Sequence, residues 1–131
     1  MIIDSSAVLA ILRAEPEGIE LARALAASDH DARTISAANF LESALVIDRA
    51  RSPLPGRGLD RLLVEENIQI VPVTPEHARV ARAAYRDFGK GSGHAAGLNF
   101  GDCFAYALSR ATGEPLLFKG DDFARTDVVA A

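Results

Sequence analysis

Apolar positions along this chain fall into short β-branched runs that alternate with longer stretches of helical period. Met1-Ile2-Ile3 is the first run and ends in Asp4. Ser5-Ser6 then opens a helix holding Ala7, Val8, Ala10, Ile11 and Leu12, with Ser6 as its expected cap. Pro16-Glu17-Gly18 breaks it, and a helix over 19–28 follows, carrying Ile19, Leu21, Ala22 and Leu25. Arg33-Thr34-Ile35 is a brief strand, and Ser36 caps a third helix over 37–51. Residues 52–58 read as a Pro/Gly loop, 59–66 as a short helix and 68–73 as a β-branched strand. Thr74 as N-cap and Pro75 at the first helical position start a helix that runs to about Phe88.

Residues 89–97 form a glycine-rich loop. It is not a phosphate-binding P-loop, because the order of its residues is wrong and a helix precedes it where a strand is required. The next stretch organises the rest. Phe100, Cys103, Phe104, Ala107, Leu108 and Ala111 make one apolar helical face, between Asn99 as N-cap and Gly113 at the C-terminal cap. The pair Phe100 and Phe104 is expected in the core. Leu116-Leu117-Phe118 is a buried strand, and 126–129 supplies a possible last one. Alternating strands and helices predict an α/β layered fold: a central, mainly parallel sheet of four to five short strands flanked by helices, with right-handed crossovers.

At 131 residues the chain suits one domain, 1–131, and 49% apolar content excludes disorder. No apolar run is long enough to span a membrane, and the first residues lack the basic segment of a signal peptide. A single cysteine, Cys103, fits a reducing cytoplasm and reads as a small core residue. The net charge of −4 excludes wrapping of nucleic acid by bulk charge, though not phosphate binding through a metal.

Five acids sit oddly. Asp4 ends the first strand, Glu42 projects from an apolar sector of the third helix, Asp102 lies in the first turn of the organising helix, and Asp121-Asp122 follow the strand after it. Each has an ordinary reading: a solvated strand end, a partner for Arg49, a carboxylate compensating the helix dipole, an acidic turn. In a parallel sheet, however, strand ends and helix starts share one edge, where ligands bind. Carboxylates that converge there repel one another and would hold protons unless a hard dication joins them. Mg²⁺, with Mn²⁺ as the alternative, takes such oxygen ligands, and no His or Cys cluster competes for another metal. An all-acid Mg²⁺ site suits phosphodiester hydrolysis by an activated water.

Asp4-Ser5-Ser6 after Met-Ile-Ile, Glu42 within a helix, Asn99-Phe100-Gly101-Asp102-Cys103-Phe104-Ala105-Tyr106-Ala107-Leu108 and Leu116 to Phe123 resemble the PIN-domain toxins of the VapC type, in order and over the whole chain. The resemblance implies a Mg²⁺-dependent endoribonuclease toxin of a type II toxin–antitoxin pair. It also implies a VapB-like antitoxin covering the active site, an RNA substrate and a homodimer within the complex. By the same resemblance Asp4 and Asp102 are the principal metal ligands and Glu42 the third acid, bound directly or through water. Asp122 is the better match for the fourth acid, with Asp121 a close rival, and Ser6 matches the hydroxyl that orients Asp4. Two other functions compete. A Mg²⁺-binding receiver-like signalling module would need an acid pair after the first strand and a phosphorylatable Asp after the third, where Val73-Thr74-Pro75 supplies none. A catalytically silent PIN-like binding protein would not need the acids intact.

Overall fold

The structure, a computed structural model, describes residues 1–50 and 53–131. Its elements run β1 (Ile2–Ile3), α1 (Ser5–Leu12), α2 (Gly18–Ala27), β2 (Thr34–Ser36), α3 (Ala37–Arg49), α4 (Pro53–Glu65), β3 (Gln69–Val71), α5 (Pro75–Phe88), α6 (Phe100–Thr112) and β4 (Leu116–Leu117). The four strands make one parallel sheet in the order β3-β2-β1-β4. Ile2 stands opposite both Thr34 and Leu116, so β1 is central and all strands end on the same edge. The expected last strand contributes a single bridge, Leu116 to Ala130, which makes the fifth sheet position marginal.

Strand alternation divides the core in two. Ile2 and Leu116 face one layer with α5 and α6; Ile3, Ile35 and Leu117 face the other with α1, α2 and α4. Each fully buried isoleucine contributes about 1.5–3 kcal/mol relative to exposure. No helix among the described residues is long and apolar enough to cross a membrane.

The caps were well marked. Ser36 Oγ accepts from Ala38 N, Thr74 caps α5 with Pro75 at its first position, and Gly113 closes α6 in the left-handed conformation at φ 73°. Three expectations fail. The loop expected over 52–58 is helical from Pro53 onward, with Ser52 outside the described residues. Both Pro53 and Pro55 fall in the first turn of α4, where backbone N–H groups have no helical partner to lose. Phe100 does not enter the core; it is 77% exposed, and Ala111 is exposed as well. Helix α6 is packed between α5, α3 and the sheet, so its buried side widens to Cys103, Ala105, Tyr106, Ala107, Leu108 and Ser109, while its ends project. Finally, α1 is capped by Asp4 and not by Ser6.

Candidate active site

Asp4 leaves the carboxyl end of the central strand and is 1% exposed. Its Oδ2 caps α1 by accepting from the Ser6 N–H at 2.9 Å, and it also accepts from the Ser6 hydroxyl. Ser6 Oγ in turn accepts from the backbone N–H of Lys119 at 3.0 Å. Ser6 therefore ties the Asp4 carboxylate to the chain leaving β4. One oxygen remains: Asp4 Oδ1 is buried and has no hydrogen-bond partner among the described residues. Such an atom normally costs about 1–3 kcal/mol.

Asp102 is the third residue of α6 and forms a capping box with Asn99. Its N–H donates to Asn99 Oδ1 at 2.9 Å, and its Oδ2 accepts from Asn99 N at 2.8 Å. The ordinary role of capping the helix is thus real, and it leaves the second carboxylate oxygen uncommitted. Glu42, half-buried on α3, accepts from Ser5 Oγ at 2.7 Å and lies 3.5 Å from Asn39 Nδ2. Among the described residues it makes no ion pair, so Arg49 is not its partner.

Electrostatics couples these acids to one another. Asp102 is pushed up to about 6, first by burial, against the Asn99 N–H that holds it down, and then by the charges of Asp4, Asp122 and Glu42. Asp4 is also raised, by burial first, with the Ser6 hydrogen bonds opposing and the charge of Glu42 adding. Three elements and the loop after β4 therefore bring Asp4, Glu42, Asp102 and Asp122 within charge range. Asp121 and Asp122 are both exposed, and it is the charge of Asp122 that acts on Asp102. Among the described residues no three acid, His or Cys side chains are drawn together into a ready-made metal cage. The donor set still fits a hard dication: carboxylate oxygens only, one of them buried and orphaned, and a net repulsion that a cation would cancel.

A consequence follows for stability in the absence of divalent ions. Asp102 has its ordinary value of 3.8 in the unfolded chain and about 6 in the fold. Folding therefore takes up a proton between these values, and the associated stability is complete below the lower one and lost as pH rises through the upper. In EDTA, Tm is expected to fall as pH is raised from about 4.5 to about 7.5. After allowance for screening at a partly open group, the loss is about 1 kcal/mol. Asp102→Asn should flatten this dependence in a series of thermal melts; an unchanged slope would show that Asp102 is not the group responsible.

The other nominated residues lie as follows. Cys103 is buried, donates to Asn99 O at 3.2 Å, and has a thiol raised to about 11 by burial and by Asp102, so it is inert packing. The histidines are engaged elsewhere: His77 in the α5 cap, His30 near Glu65 O, and His94 accepting from Ala96 N. The sequence reading missed Ser5, Asn39 and Gly101; only the buried polar character of the first two in otherwise apolar helix surroundings could have flagged them.

The PIN domain family model matches residues 1–129. Ribonuclease VapC28 of Mycobacterium tuberculosis is 53% identical over 131 residues, 100% of this chain and 97% of that protein. Ribonuclease VapC of Mycolicibacterium smegmatis is 48% identical over 130 residues, 99% of this chain and 98% of that one. Among solved structures, Mycobacterium tuberculosis VapC20, a Sarcin-Ricin loop cleaving toxin, superposes with a TM-score of 0.76 at 16% identity, over 99% of this chain and 97% of that one, which shows a shared fold.

Proposed function

Because the chain belongs to the PIN-domain family, and within it to the VapC ribonucleases, we propose that it is the endoribonuclease toxin of a type II toxin–antitoxin pair, hydrolysing RNA phosphodiesters at a Mg²⁺-loaded acid site. Mn²⁺ is the alternative ion. The observation that carries this reading is the coupling of Asp102, raised first by burial, to the charges of Asp4, Asp122 and Glu42, beside a buried Asp4 Oδ1 that has no hydrogen-bond partner among the described residues.

Asp4 and Asp102 would be the principal ligands, with Glu42 the third, directly or through water. Asp122 is favoured over Asp121 as the fourth acid because its charge reaches Asp102. A bound divalent cation supplies Lewis-acid activation of water and compensates charge on the phosphate. The chain's own part is to aim oxygens. Asp4 is locked by Ser6, Asp102 by its capping box, and Glu42 by Ser5. Among the described residues the imidazoles bond away from the acids, His77 in the α5 cap, His30 near Glu65 O and His94 with Ala96 N, so none is assigned to attack by a ribose 2′-hydroxyl. Attack by an activated water would leave a 5′-phosphate and a 3′-hydroxyl.

A VapB-type antitoxin and RNA are the partners. We place the antitoxin over the acids, because an apolar groove of about 630 Å³ adjoins Glu42 and is walled by Leu41, Leu45, Val73, Phe100 and Phe104. Three of these are unusually open, Leu41 at 56%, Leu45 at 49% and Phe100 at 77%. Exposed apolar area of this kind marks a protein contact. A segment with apolar side chains on this wall could set a basic side chain among the acids, replacing metal charge. A toxin homodimer belongs to the same proposal. Sequencing of RNA ends after brief expression, with Asp4→Ala as control, should reveal new 5′-phosphate ends, and EDTA should stop cleavage in vitro. Cleavage that survives both the variant and the chelator would sink the reading.

A further inference from the structure

We propose that Gly101 and Asn39 are positioning residues that set the Glu42 carboxylate against Asp4 and Asp102, Gly101 by leaving a slot for it and Asn39 by pinning α3 to the first turn of α6. The proposal rests on the acids forming a metal site. It concerns how that site is built from residues that carry no metal-binding chemistry of their own.

Gly101 stands at the second position of α6, immediately before Asp102. Its backbone is helical and lies outside the left-handed region, so the turn itself does not require glycine. What requires it is Glu42: a Cβ on residue 101 would overlap both carboxylate oxygens of Glu42. The missing side chain is the space in which the carboxylate lies.

Asn39 precedes Glu42 by one turn of α3 and is fully buried at 0% exposure. Its Nδ2 donates to the carbonyl of Gly101 at 3.0 Å and approaches Glu42 Oε2 at 3.5 Å. The contact with a carbonyl settles which way the amide points, since the reversed amide would set two acceptors face to face. Asn39 Oδ1 is left buried and unpaired. A buried asparagine with one end unsatisfied is a poor way to fill a core, so the working part of this residue is the Nδ2 link. That link joins the helix bearing Glu42 to the turn bearing Asp102. From the other side Ser5, next to Asp4, donates to the same Glu42 oxygen at 2.7 Å. Glu42 is therefore fixed relative to both other acids before any ion arrives, as outer-shell partners do in metal sites.

The test is Mn²⁺ titration of metal-free protein, followed by the EPR signal of the free ion. Gly101→Ala should fold, because the atoms its Cβ would meet are the far end of a flexible side chain and alanine favours a helix. Its Tm should hold or rise while Mn²⁺ affinity falls about tenfold or more. Asn39→Leu, similar in volume and with neither donor nor charge, should weaken Mn²⁺ binding by a comparable factor. Glu42→Gln should match Gly101→Ala, and the double variant should lose nothing further, because both changes remove the same placed carboxylate. Wild-type Mn²⁺ affinity in Gly101→Ala, or losses that add in the double variant, would overturn the positioning role while Glu42→Gln still binds poorly. Unchanged binding in Glu42→Gln would instead remove Glu42 from the metal set and strike the reading of the site itself.

Discussion

Asp4→Asn is expected to lower RNA cleavage by about a thousandfold, the scale of losing one principal ligand of a catalytic metal. The variant is chosen because it separates charge from structure. Asparagine caps a helix as well as aspartate does, so the Ser6 N–H that Asp4 Oδ2 now satisfies keeps an acceptor. The amide nitrogen then takes the place of Oδ1, an atom with no partner to lose. The charge removed is one that burial already disfavours. Tm should therefore stay within ~4 °C of the parent, about 1 kcal/mol for a chain of this size. Toxicity on expression, cleavage of RNA in Mg²⁺ and Mn²⁺ binding should all collapse together. A variant that folds and cleaves within about tenfold of the parent would show that the buried carboxylate at the end of β1 is structural only.

The second large effect is on stability and arises at the opposite edge of the sheet. Arg33 is 2% exposed. Its guanidinium donates to Ser28 Oγ at 2.9 Å, to the carbonyls of Ser28 and Glu66 at 2.9 and 3.0 Å, and to Glu66 Oε2 at 2.6 Å. One side chain thus gathers the ends of α2 and α4 at the start of β2. Arg33→Ala leaves those acceptors without a donor and Glu66 without its cation, and should cost about 3 kcal/mol, or roughly 10 °C in Tm. Arg33→Lys should recover only part, because an ammonium cannot span so many acceptors at fixed angles. Because Arg33 precedes β2 at the sheet edge opposite the one from which Asp4, Glu42 and Asp122 follow β1, β2 and β4, cleavage per folded molecule should be unchanged below the new melting point. A loss of under about 1 kcal/mol in urea unfolding would mean that water replaces the network readily.

The ordering of helices and strands was legible because each boundary carries its own local chemistry. Ser36, Thr74-Pro75, Asn99 and Gly113 satisfy or spare end groups of helices wherever those helices pack. The misread boundary at Pro53 came from the same rule used in one direction only: proline breaks a helix interior and is harmless in its first turn. Phe100 was misplaced because helical period says which residues share a face and not where a neighbouring element stops covering it.

Acids are legible at a distance in the chain because a carboxylate among apolar neighbours is costly anywhere and so stands out in one dimension. Asp4, Glu42, Asp102 and the pair at 121–122 could be nominated on that ground alone, together with the parallel sheet that makes their elements end at one edge. The room that residue 101 leaves for Glu42, and what holds Glu42, were properties of packing. They depend on how α3 crosses the first turn of α6, a distance between helices with no local signature in either one. Composition and pattern chose the chemistry; the close approach of two helix backbones chose the residues that aim it.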